Sequence, residues 1–164
     1  MINLLRVGGL LAALFLCSSV YAGDIQIQNA WARATAPGQD AASVDLTITS
    51  KHAAALAGVS SPASGKAALH SMAMEGGMMR MREVASIALP PGKMVNLGKS
   101  GYHVMLTGLK APLKEGQTVP LTLSIRVSKL GMVKVKTHAK VISLTAPAPV
   151  QVNSGDQKMN MQMH

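Results

Sequence analysis

Apolar and polar residues alternate one by one along several short stretches of this chain, a period of two that fits strands and not helices. Val44-Asp45-Leu46-Thr47-Ile48-Thr49 and the run from Val119 to Val127 each put their apolar residues on one side of an extended backbone. Shorter stretches of the same kind run from Ile25 through Ala34, from Ala67 to His70 and from Met78 to Val84. Others cover Met94 to Leu97, Tyr102 to Leu106 and Met132 to Ile142. Turn signals separate them at Pro37-Gly38, Ser60 to Gly65, Gly76-Gly77, Pro90-Pro91-Gly92 and Lys99-Ser100-Gly101. Some seven or eight short strands at this spacing predict an all-β antiparallel sandwich. A small barrel, or a short helix around Ala53 to Ala57, is the alternative. After Leu144 the composition turns to Ala-Pro-Ala-Pro and then to polar residues with methionine. That predicts a domain over 23–144 and a flexible tail over 145–164.

The first residues bear on the compartment. Arg6 is the only charge before an apolar run from Val7 to Cys17, and small residues follow at Val20 and Ala22. This reads as a secretory signal over 1–22, cleaved after Ala22 into the periplasm. The run is shorter than the ~20 residues of a membrane span, so no stable insertion is expected after cleavage. Lipidation at Cys17 is the second route, ranked lower because Leu16, which is not small, precedes the cysteine.

Cleavage makes a compositional fact strict. Cys17 is the chain's only cysteine, so the mature protein has no thiolate and no disulfide. Its aromatics are Trp31 and Tyr102 alone, and the core must come from Val, Leu, Ile, Ala and Met. Of twelve methionines, most cluster in two segments, Met72 to Met81 and Met159 to Met163. The formal charge is +9, yet Lys134, Lys136 and Lys140 alternate with valines, as a solvated strand face would. With so few aromatics to stack on bases, nucleic acid is not an expected partner.

His70, Met81, His103 and Met105 form the central constellation. His103 and Met105 are two apart and share a strand face just after the Gly101 turn. Met79 and Met81 repeat that spacing on a second strand, and His70 closes a third. Thioethers favour monovalent copper, and imidazole accepts either copper oxidation state. Zinc sites more often use cysteine, carboxylate or three histidines, and a blue-copper site needs the thiolate that is missing here. Spacing alone leaves open that these methionines are core filler, the role expected of Met94 and Met132. His52 and His138 read as surface residues.

The stretch Gly101-Tyr102-His103-Val104-Met105-Leu106-Thr107-Gly108-Leu109 resembles the signature of the periplasmic CuA copper chaperones, the PCuAC-type proteins. That family's motif is a histidine, ten residues, a methionine, twenty-one residues and then His-x-Met. His70, Met81, His103 and Met105 fit it throughout, and Ala30-Trp31-Ala32-Arg33-Ala34 resembles the opening strand. The resemblance implies a cupredoxin-like β-sandwich that holds Cu(I) on these four residues. It also implies delivery towards the CuA centre in cytochrome c oxidase subunit II, with Sco-type proteins as associates. Ala68 stands where an acidic residue is common, and Lys99-Ser100 where Pro-Gly is usual; neither is expected to touch a ligand.

Secondary candidates are Met72, Met74 and Met79, with Met78, around Glu75-Gly76-Gly77, read as a loop that passes copper in or out. The tail adds Met159, Met161, Met163 and His164, with Cu(II) an option at His164. No catalytic set competes, so a non-enzymatic carrier is the expectation. A copper-sequestering or resistance protein, a copper oxidoreductase and a structural interaction module are the alternatives.

Overall fold

The structure, a computed structural model, describes residues 23–149. The signal, Cys17 and the tail candidates Met159, Met161, Met163 and His164 lie outside them. Ten strands make up the described fold: β1 (Ile25–Arg33), β2 (Ala41–Ser50), β3 (Ala54–Ser60), β4 (Ser64–Glu75), β5 (Met78–Glu83), β6 (Ile87–Leu89), β7 (Met94–Leu97), β8 (Tyr102–Leu109), β9 (Thr118–Val127) and β10 (Gly131–Ile142). No helix occurs among the described residues. The segment open to a helical reading is β3, which pairs with β9 on one side and β6 on the other.

The strands follow the order β5-β4-β8-β2-β1-β10-β9-β3-β6, with β7 added beside β2. All pairings are antiparallel except that of β1 with β10, where Trp31 lies opposite Lys140. β2 serves two partners on one edge. Its first half, Ala41 to Val44, pairs with β8, and its second half, Leu46 to Thr49, pairs with β7. A bulge at Asn29, where φ is 51°, resets the alternation of β1. Trp31 therefore shares the face of Asp45, while Ala32 turns inward with Val44.

One core joins both ends of this path. Leu69, Val104 and Leu106 from β4 and β8 share a single buried cluster with Leu56, Ile87, Leu121, Leu123 and Ile125 from β3, β6 and β9. The ribbon of strands is thus folded over on itself, which is the expected sandwich. The core is aliphatic, as the shortage of aromatics required. Met94 and Met132 do not contribute, however; they are 44% and 52% exposed. They are apolar by type, but their places in the strand alternation point outward. Beyond β10, the Arg33 guanidinium donates to the carbonyls of Leu144 and Ala146.

Candidate metal site

β4 and β8 separate two kinds of residue by the pleat. Leu69 pairs with Val104, and both enter the core. His70 pairs with His103, and Ala68 with Met105, on the opposite face. The histidine and methionine candidates therefore lie on the outside of the sandwich sheet, backed by the core and not part of it. His103 is nevertheless only 6% exposed. The imidazole rings of His70 and His103 are 5.9 Å apart between centroids and inclined at 52°.

The third strand comes from a hairpin. β4 and β5 are joined by Gly76 and Gly77, both with positive φ (58° and 79°). That is the signature of a two-residue type I′ turn, which glycine enters at no steric cost. The turn fixes the register: Met74 faces Met79, Met72 faces Met81, and His70 faces Glu83. The segment read from sequence as a loop is in fact two paired strand arms with a two-residue tip. Met72 and Met74 are strand residues, and His70 lies inside β4, not at its end.

A pocket of about 260 Å³ opens where these strands meet β2, lined by Ser43, Asp45, Met72, Met81, Gly98, His103 and Met105. Three of the four primary candidates line it directly, and His70 stands beside it next to His103. Met79 and Met74 lie farther along the hairpin. Met72 enters the pocket as the cross-strand neighbour of Met81. Asp45 comes from β2, and its carboxylate packs against Gly98, where a Cβ would fall 2.7 Å from Cγ and Oδ2. Ala68, not expected to touch a ligand, is the direct cross-strand neighbour of Met105.

The electrostatics favour a neutral imidazole. Burial, and secondarily the neighbouring His70, hold His103 below the ordinary histidine pKa. Burial raises the Asp45 carboxyl above its usual range, and the Arg33 guanidinium acts against that. The His70 Nδ1 is buried with no hydrogen-bond partner among the described residues. A buried polar atom left in that state costs about 1–3 kcal/mol, and a metal ion would supply the missing partner. Met81 is 49% exposed, which removes the core-filler reading for it. Among the described residues no three His, Cys, Asp or Glu side chains form a metal cluster. What converges is imidazole and thioether, a donor set for a soft monovalent ion.

Comparison with known proteins places the family and the fold. A family profile described as "Putative lipoprotein LpqE-like" matches residues 25–141. A relative from Leifsonia xyli subsp. xyli (strain CTCB07), "Putative lipoprotein Lxx21020", is 36% identical over 103 residues, 62% of each chain. The chain thus spans less than two thirds of that relative's length. Among solved structures, the apo PCuAC domain from PmoF1 is 26% identical with a TM-score of 0.59, over 74% of this chain and 95% of that one. DR1885 from Deinococcus radiodurans, solved with Cu(I), is 29% identical with a TM-score of 0.55, over 74% and 81%. The fold is thus one shared with PCuAC domains, and the chain itself belongs to the LpqE-like family.

Proposed function

We propose that this protein is an exported, non-enzymatic Cu(I) carrier whose ion is held by His70, Met81, His103 and Met105. The observation that supports this most is the convergence of residues from three strands: Met81, His103 and Met105 in one pocket, with the His70 ring beside His103. The Cu(I) form of the DR1885 relative supports the identity of the ion. Four neutral ligands leave the ion's single positive charge uncompensated, and the Asp45 carboxylate in the pocket wall is placed to balance it. The half-exposed Met81 thioether allows the ion to leave by stepwise ligand exchange, with no redox step. Delivery would run towards the CuA centre of cytochrome c oxidase subunit II, with Sco-type thiol proteins as associates.

Titration with Cu(I) against a competing chelator tests the site. Changes in the surroundings of metal ligands typically cost about 10–100-fold in affinity. His103→Ala and Met105→Ala remove a ligand outright and are expected to cost at least about 100-fold. If binding survives both changes, the site is misassigned.

The lipoprotein names of the family and the relative support export. Release after Ala22 is proposed over anchoring at Cys17, because Leu16, which is not small, precedes the cysteine. Among the described residues no helix is long and apolar enough to cross a membrane. The intact mass of the protein recovered from cells decides the point. A chain starting at Gly23 is expected, and a lipid-modified Cys17 would overturn it.

A further inference from the structure

The β4–β5 hairpin extends the metal chemistry beyond the pocket. Its register puts His70, Met72 and Met74 of β4 on the same face as Glu83, Met81 and Met79 of β5. The other face holds an ionic cluster beside Met78: Glu75 accepts from Arg82 at 2.6 Å and lies 3.9 Å from Arg80. Every apolar side chain of the first face is therefore methionine, whereas the core is built from Leu, Ile and Val. Met74 is 69% exposed and Met79 59%. Neither fills space, and exposed thioethers both oxidise and lower solubility. An apolar docking patch would not need to be all sulfur.

We propose that Met74 and Met79 form a second, weaker site for a soft monovalent cation, connected to the pocket through the adjacent Met72–Met81 pair. Directly opposed strand residues have Cβ atoms about 4.5–5.5 Å apart, close enough for two flexible thioethers to close on one ion. Two cross-strand pairs, one step apart on the same face, give a ladder from the hairpin tip to the pocket. The ion is received at Met74 and Met79, exchanges onto Met72 and Met81, and finishes on His103 and Met105. Each step swaps one neutral ligand, thioether or imidazole, for another, so charge and oxidation state stay constant. The existence of the tip site is independent of the carrier reading; the direction of transfer rests on it.

Methionine-methyl NMR of the full chain, titrated anaerobically with Cu(I), tests both parts residue by residue. The methyls of Met81 and Met105 are expected to shift with the first equivalent, and those of Met74 and Met79 only with later ones. The double variant Met74→Leu/Met79→Leu keeps the apolar shape but removes both sulfurs. Exposed substitutions of this kind change stability little, so the variant remains folded. It should keep first-equivalent binding and load the pocket more slowly from a Cu(I)–chelator donor. Later shifts confined to methionines beyond residue 149, or a leucine variant that loads at the wild-type rate, would overturn the ladder. His103→Ala separates the two readings: Met74 and Met79 still shift if the tip site stands alone. If instead Met81 and Met105 respond unchanged in that variant, the carrier site is at fault and not the ladder.

Discussion

The β4–β5 and β9–β10 hairpins obey the same period of two, yet they present opposite chemistry to solvent. On β9 and β10 one face is packed, with Leu121, Leu123 and Ile125 in the core. The other carries Met132, Lys134, Lys136, His138 and Lys140, all exposed. Lysines there keep a strand soluble and are the ordinary outcome of alternation. On β5 no residue is buried, so neither face is answering to a core. One face carries Arg80 and Arg82 beside Met78, and the other Met79 and Met81 ahead of Glu83. Where packing does not select the side chains, something else must, and a ligand for the sulfurs accounts for that face.

Three experiments press on this contrast, beginning with the largest effect. Met81→Leu should weaken Cu(I) binding at least about tenfold, the lower end of losses seen around metal ligands. Met132→Leu, equally exposed but on the lysine-bearing hairpin, should leave it unchanged. Equal losses in the two variants would erase the distinction between the faces. A smaller effect concerns protons. Because the folded protein holds His103 below the ordinary value of about 6.5, the unfolded chain takes up its proton first as pH falls. The stability of the metal-free protein should therefore be steady above about pH 6.5 and decline as pH drops from there towards the lowered folded value. Thermal melts from pH 8 to 5 should show that decline in the wild type and a shallower one in His103→Asn. Identical profiles would mean that His103 is not desolvated as described. The smallest effect belongs to the lysines. Lys134→Gln and Lys136→Gln should each shift stability by no more than about 0.5 kcal/mol and leave copper affinity intact. A loss of metal there would show that the β10 face takes part in the site.

Much of the site was legible because strands project side chains by simple parity. His103 and Met105 had to share a face wherever their strand lay. The place of Met72 was legible too, though only by treating Gly76-Gly77 as a two-residue turn. Counting outward from that turn pairs Met74 with Met79 and Met72 with Met81, and the loop reading hid this register. Asp45 was out of reach, because its carboxylate enters the pocket through the approach of Gly98 to β2, a tertiary contact without local signature. The same limit explains Met94 and Met132: residue type marks them as apolar, but only register says which way they point. The all-β class followed from alternation alone. The parallel pairing of β1 with β10 joins residues more than a hundred positions apart, and no local pattern encodes it.

That pairing has a kinetic consequence. β1 is held between β2 and β10, so the first strand of the domain lacks one of its two neighbours until the last strand has been made. Closing so long a loop is entropically costly and comes before the contacts that repay it. The sandwich therefore completes late, after synthesis has passed Ile142. Were the chain exported unfolded, in keeping with the proposed function, a fold that cannot close on a partial product would postpone its own obstruction of the route.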